Sequence, residues 1–504
     1  MNWLVVLPVI VPFATAAVTL CLRNHLRLQG RAAISGAVVH FVVCMFLLAR
    51  VAKTGIVTVQ IGSWPAPFGI TLAADHFSAM LVAVTGILGL SVTAYSRAEI
   101  RAGMLAAGYQ PLLHILIGGV CGAFLTGDLF NLYVWFEVML MASFGLLVMG
   151  GEKQQLDGGV KYVMINLFAT LLFISGIGLL YGMTGTLNMA DLHSAVQQVE
   201  HKGLLTAVAA LFMTAFGIKA GIFPLFFWLP VSYHTPPVAV STIMAGLLTK
   251  VGVYALIRMF TLVFIFDIAY THGILLAAGV LTMIVGVLGT AAFYEFRRIL
   301  SFHIISQVGY MVLGLALFTP LALTGAVFFL AHNMIVKANL FLISGVCRQK
   351  AGSFELGRLG GLYKNHGFIT ILFFISAFSL AGFPPLSGFW AKFLVIRAGL
   401  EAKAYVAAAA AIVVGLLTTY SMTKIWAEAF WKPAPAAESG PEPGVDKQGS
   451  GQGDFWLYAP IVVLVALTLA MGLLPGPFVN LAGSAAHELM NPGIYVEAVL
   501  GGGR

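Results

Sequence analysis

The sequence predicts an all-α polytopic membrane protein of about 14 transmembrane helices, with two inverted five-helix repeats that each contain a broken helix. Three observations predict it. Of the 504 residues, 60% are hydrophobic and only 9% charged, where a soluble domain carries about a quarter charged residues. Apolar stretches of about twenty residues, enough to cross a hydrocarbon core of about 30 Å, recur from one end to the other. A Gly/Pro-interrupted apolar motif also occurs twice.

Taken in order, the apolar windows place spans at 2–22, 31–50, 76–96, 109–126, 129–150, 162–182, 204–229 and 236–257. They continue at 272–294, 302–319, 321–346, 367–396, 404–423 and 455–475. The first, "MNWLVVLPVIVPFATAAVTL", has neither a basic n-region nor a small-residue cleavage site, so a retained span is expected. The spans group into a three-helix segment (1–108), a first five-helix repeat (109–258) and a second (259–430). Residues 431–504 hold a linker, the last span and a tail. The polar, Pro/Gly/Ser-rich stretch 432–454 reads as a cytoplasmic linker. Of 27 Lys and Arg, 16 fall in odd-numbered loops and seven in even-numbered loops or termini. The positive-inside rule then makes the odd loops cytoplasmic and puts both termini outside.

Other classes are excluded early. The net charge of +8 is spread over loops and is no nucleic-acid footprint. Cys21, Cys44, Cys121 and Cys347 lack CxxC spacing. Packing roles are expected for them, with no disulfide framework, iron–sulfur ligands, zinc site or other cofactor.

The repeat is visible in "TAFGIKAGIFPLFFW" (214–228) and "SAFSLAGFPPLSGFW" (376–390). Ala220-Gly221 corresponds to Ala381-Gly382, and Pro224 to Pro385, with Pro384 adjacent. Five spans separate the copies, so the second enters the membrane from the opposite side. Proline removes an intrahelical hydrogen bond, and bare backbone at membrane depth survives only inside protein or around water. Paired broken helices therefore point to a transport pathway; a Pro kink for packing is the plainer alternative.

One carboxylate, Glu137, and four lysines, Lys219, Lys250, Lys337 and Lys392, lie inside the spans. Unpaired and facing lipid, five such charges would cost on the order of 15 kcal/mol, so they must face the bundle interior. Burial favours a neutral lysine and a nearby carboxylate a charged one; a lysine between these influences can carry protons. Glu137 is expected to pair with Lys219 beside the break. Static salt bridges locking helices are the alternative, but they leave three lysines without an acid. His332 either links the lysines or is a hydrogen-bonded core residue. Tyr254, Asn333, Ser306 and Gln307 could hold water between them, while His40, His114 and Lys424 read as interface anchors. His234 either admits protons from the cytoplasm or caps a helix.

These residues carry a resemblance. "NLYVWFEVMLMASFGLLV", "GIKAGIFPLFFWLPVSYHTPPVAVSTIMAGLLTKVGVYALIR", "LSFHIISQVGYMVLGLAL" and "FSLAGFPPLSGFWAKFLVIRAGL" are similar to the proton-translocating antiporter-like subunits. That superfamily includes membrane-arm subunits of complex I, membrane-bound hydrogenases and the Mrp Na+/H+ antiporters. The match covers nearly the whole chain and most resembles the D-type Mrp subunits. The length and the 432–454 linker set it apart from A-type subunits, which continue through further spans.

The resemblance implies a secondary-transporter subunit in a prokaryotic cell membrane, not an enzyme, with A, B, C, E, F and G type partners. It implies Glu137 as partner of Lys219, Lys250 as bridge between two half-channels, His332 and Lys337 as central relay, and Lys392 as terminal site. Protons would follow this wire, coupled through partner subunits to Na+ extrusion. With no Asp/Glu cluster in the spans, Na+ is expected to pass elsewhere in the complex. One departure stands out: where several relatives carry a histidine in the tenth helix, this chain has Gln307, so water would have to pass protons there. The rival readings are a pump subunit of a redox-driven complex, a stand-alone solute transporter and a structural scaffold.

Overall fold

The computed structural model describes residues 3–434 and 452–501. Most of the linker expected at 432–454 lies outside the described residues. Helices form wherever the sequence runs apolar, because in a bilayer each backbone N–H and C=O must find its partner within the segment. Among the described residues, eleven helices are long and apolar enough to cross a membrane, and three shorter apolar helices fill the remaining windows.

In order these are α1 (Leu7–Cys21), α2 (Leu26–Thr54), α3 (His76–Glu99), α4 (Tyr109–Leu125), α5 (Leu129–Val148) and α6 (Lys153–Thr184). Then come α7, split into Lys202–Ala220 and Trp228–Ser232, α8 (Val238–Leu262), α9 (Ile268–Ala292), α10 (Phe296–Leu317) and α11 (Pro320–Ala351). α12 is split into Gly367–Ala381 and Ser387–Glu401; α13 (Tyr405–Trp431) and α14 (Gln452–Leu473) complete the bundle. Several helices outrun their apolar windows. α2, α6 and α11 extend by several residues because good helix formers such as Lys, Gln and Arg carry the helix beyond the hydrocarbon-like stretch.

Burial sorts the helices. The apolar window of α11 is 100% buried and that of α2 only 28%. A helix apolar all round belongs in the middle of a bundle, and α11 is flanked there by α3, α8, α10 and α12.

The loops separate cleanly. On one side the odd-numbered loops meet: Glu99 accepts from the Val238 and Ala239 amides at the start of α8, Arg297 donates to the Pro236 carbonyl, and the Gly361 amide donates to the Lys432 carbonyl. On the other side the even-numbered loops meet. There β1 (Val57–Gln60) and β2 (Thr71–Ala74) form an antiparallel hairpin, and Asn188 donates to Thr71 Oγ1. This strict sorting is what an alternating membrane path requires.

Two expectations need correction. The tail is a pair of helices, α15 (Pro475–Met490) and α16 (Pro492–Leu500), folded over the even-loop face. Glu488 of α15 accepts from the His76 amide (3.0 Å) and contacts His76 Nδ1 (2.7 Å), latching α15 to the start of α3. His40 and His114 are not interface anchors; both are buried. His40 Nε2 lies 3.3 Å from Cys44 Sγ and 3.5 Å from Cys121 Sγ, so two cysteines distant in sequence meet at one imidazole. Lys424 donates to the carbonyls of Thr290, Ala291 and Phe293, closing the C-terminus of α9.

A buried ion pair ties α3 to α8. Asp75 caps α3 through the Ser78 amide (2.8 Å) and its other oxygen meets Arg258 Nη2. Arg258→Ala leaves a buried carboxylate uncompensated and should cost about 3–5 kcal/mol. Thermal unfolding of the purified protein checks this, with a smaller loss expected for the apolar double replacement Asp75→Leu/Arg258→Met.

Candidate functional site

The two breaks share one geometry. In α7 the helix stops at Gly221 (φ 77°) and the Ile222 amide donates back to the Gly217 carbonyl. In α12 it stops at Gly382 (φ 97°) and the Phe383 amide donates to the Phe378 carbonyl. A positive φ favours glycine, and the backward bond is a helix-terminating motif. The Phe223-Pro224 and Pro384-Pro385 bonds, both cis, follow within three residues. Each break also exposes carbonyls that need a donor. Trp228 Nε1 supplies one to Ile218 O (3.1 Å), and Lys392 Nζ supplies one to Ala381 O (2.8 Å).

Close approach around both breaks depends on glycine. A Cβ on Gly252 of α8 would lie 2.6 Å from the Ala220 nitrogen, and one on Gly388 would collide with the Ser379 carbonyl.

All four lysines are buried, and among the described residues none forms an ion pair. Lys219 sits 4.7 Å from the centre of the Phe136 ring, a cation–π contact. Its expected partner Glu137 lies nearby without forming an ion pair, and Thr170 Oγ1 donates to Glu137 Oε1 at 2.6 Å. A cavity of about 20 Å³ beside Lys219, lined also by Tyr162, Asn166, Trp228 and Tyr233, has room for one water. Lys250 follows a π-helical turn, Met244–Leu248, and donates to the Ala245 carbonyl within it. Lys337 Nζ reaches the Leu300 carbonyl of α10 at 3.4 Å. Lys392 adds a contact 5.4 Å from the Tyr310 ring.

His332 connects to the second break. Its Nδ1 meets Ser387 Oγ (2.8 Å), which meets Ser379 Oγ (3.0 Å), so a hydroxyl pair spans the gap between the halves of α12. The supporting residues divide. Tyr254 donates to the Phe124 carbonyl and Ser306 to the Met283 carbonyl, so neither hydroxyl hydrogen is free for water. Gln307 and Asn333 have both amide atoms buried without a partner. His234 Nδ1 donates to the Pro230 carbonyl (2.7 Å), and burial together with Arg297 pushes its pKa down to about 4. It is therefore a neutral cap near pH 7.

Sequence reasoning missed His303 of α10, buried and hydrogen-bonded to Ser421 of α13. Its spacing was the available signal: residues 303, 307 and 310 share one helix face. Among the described residues no group of three or more His, Cys, Asp or Glu is arranged to hold a metal.

Paired broken helices with buried, unpaired lysines between them define a polytopic transport subunit, one built to move charge through the bundle. The chain belongs to the NADH:quinone oxidoreductase/Mrp antiporter transmembrane family, whose pattern matches residues 126–418. It is 45% identical to the D-type Na(+)/H(+) antiporter subunit of Alkalihalophilus pseudofirmus, over 99% of this chain and 100% of that one. Identity to the D-type counterpart from Bacillus subtilis is 40%, with the same coverage. A chain of the Mrp complex from a Dietzia species superposes with a TM-score of 0.91 at 34% identity, covering 99% of this chain and 100% of its own.

Because α8 packs directly on the α7 break, Gly252→Ala should force the two apart at a cost of about 1–3 kcal/mol. The expected outcome is a lower melting temperature together with reduced exchange, read by thermal unfolding and vesicle assay on the same preparation.

Proposed function

We propose that this chain is the proton-carrying, D-type subunit of a multisubunit Na+/H+ antiporter in the plasma membrane of a prokaryote. The observation that carries the reading is a row of buried lysines without acid partners, running through two matched helix breaks. The identity to two D-type antiporter subunits over full length supports it.

Glu137, Lys219, Lys250, His332, Lys337 and Lys392 form the wire in this reading. Lys219 sits at the break of the first repeat (109–258) and Lys392 at that of the second (259–430). Lys219 takes and releases protons beside the water-sized cavity, and Glu137 favours its charged state when it swings from Thr170 toward it. The carbonyls that hold Lys250 and Lys392 carry no titratable charge, so each amine can lose its proton without leaving a bare carboxylate behind. His332 passes protons across the second break through Ser387 and Ser379. The excess of Lys and Arg in odd-numbered loops supports a cytoplasmic position for that face, with both termini outside. Partners are the A, B, C, E, F and G type subunits, through which proton entry drives Na+ outward. Na+ itself passes elsewhere in the complex, since the spans hold a single interior carboxylate.

Lys219→Ala, Glu137→Ala and Lys392→Ala should each lower Na+-dependent proton exchange at least about tenfold in vesicles containing the full complex. Unchanged exchange in Lys219→Ala and Glu137→Ala would sink the wire. Purification of the complex in mild detergent tests the driving force. Small hydrophobic partners without flavin or iron–sulfur absorption are expected; those bands would assign the wire to a redox-driven pump.

A further inference from the structure

α10 and α11 run antiparallel, and three contacts fix their register. Lys337 Nζ reaches the Leu300 carbonyl, the Tyr310 and Phe329 rings stack at 5.2 Å, and Gly314 lies against Ala326. On α10 the residues of this seam follow alternating steps of three and four: 300, 303, 307, 310 and 314. On α11 the facing stripe is 337, 333, 329 and 326. Steps of three and four keep residues on one helix face, so His303 and Gln307 lie on the α11-facing stripe of α10 and Asn333 lies on the facing stripe of α11, at a level between them.

Five atoms in this stretch are buried without a partner: His303 Nδ1, both amide atoms of Gln307 and both of Asn333. Buried polar atoms are normally paired with protein or ordered water. A cluster of them is where bound water finds its two to four polar contacts.

Ser421 Oγ lies 2.7 Å from His303 Nε2 and 3.0 Å from the Thr418 carbonyl. With its single hydrogen on that carbonyl it accepts at Nε2, Nε2 carries the ring hydrogen, and Nδ1 is a bare acceptor. The charged groups around the ring are all cationic: Lys337 on α11, Lys392 on α12 and Lys424 on α13, the last near the odd-numbered-loop face.

We propose that His303 is a proton-relay residue that joins Lys337 to water held between Gln307 and Asn333. α10 thus places an imidazole in the proposed proton path, one turn before Gln307. Nδ1 takes a proton from the Lys337 ammonium through an intervening water, leaving a neutral amine and an imidazolium. The imidazolium returns that proton from Nδ1 to the next water, while Nε2–H stays on Ser421. No other bond changes. The inference rests on the lysine wire proposed above.

The test moves the imidazole. His303→Gln, in the assembled complex in vesicles, should lower Na+-dependent proton exchange at least about tenfold. Adding Gln307→His on that background should restore most of the lost rate and displace the pH profile. A parental rate and pH profile in His303→Gln overturns the inference, and so does a loss that the relocated imidazole fails to restore. If His303→Gln does not assemble, Ser421→Ala decides. Loss of the Nε2–H acceptor should shift the pH profile, and an unchanged profile overturns the inference. Lys219→Ala assayed alongside separates the two levels. Full exchange there removes the wire and this relay together, whereas lost exchange there with normal His303→Gln removes the relay alone.

Discussion

A cation inside a bilayer must be compensated, and this chain does so chiefly with backbone carbonyls. Lys392 takes the carbonyl left at the end of the first half of α12, Lys250 one inside the π-helical turn of α8, and Lys337 one on α10. An intact helix has few carbonyls to spare, since each interior one already accepts from the amide four residues on. Breaks, bulges and ends are where spare acceptors arise. Two of the three lysines stand at such a place, so helix interruption and buried base belong to one device. Lys424, closing α9 with three carbonyls, applies the same chemistry as a cap.

The repeats share the break but not the base. With an offset of 161 residues between Gly221 and Gly382, the counterpart of Lys219 is Leu380, and that of Lys392 is Val231. One lysine precedes its break; the other follows it and reaches back across. Carbonyls at both breaks take side-chain donors: Trp228 adds to the Gly221 amide at Ile218 in α7, and Lys392 donates to Ala381 in α12. Lys219 is thereby released from a structural duty. It rests on the Phe136 ring beside a water-sized cavity, with the side chain of Glu137 held nearby by a single hydroxyl. The second repeat has no equivalent acid, and its lysine is held by its own backbone. The matched breaks thus hold their buried lysines in two different ways.

Much of this was legible in the sequence because rarity in a membrane carries information. Four lysines and a glutamate in apolar windows, and two Gly/Pro interruptions, stand out since each is costly unless used. What stayed hidden depends on partners far away in the chain. His303 resembles any polar residue in "SFHIISQVGY" until Ser421, 118 residues on, is seen at hydrogen-bonding distance from its ring. The meeting of Cys44 and Cys121 at His40 was invisible for the same reason. The helices α15 and α16 were read as a tail because hydropathy windows register burial in lipid, not docking on another surface. Glu137 is the single acid in the apolar windows and so points to Lys219, but its hydrogen bond from Thr170 has no signal in charge counting.

The position of α11 shows why its two ionisable residues need not do the same thing. Five residues separate His332 and Lys337, a rotation of about 140° around the helix. His332 accordingly faces the α12 break through Ser387, while Lys337 faces α10 through Leu300. Because α11 is buried along its whole apolar length, protein surrounds it on every side. In the proposed wire a proton going from the first break to the second crosses this helix, with Lys337 receiving it on one side and His332 delivering it on the other. The side chains between them, Asn333 and Val336, differ in kind: Asn333 can hold water and Val336 cannot. In the proposed wire Asn333 is therefore the side chain between the two that can hold water, and it faces the polar stripe of α10.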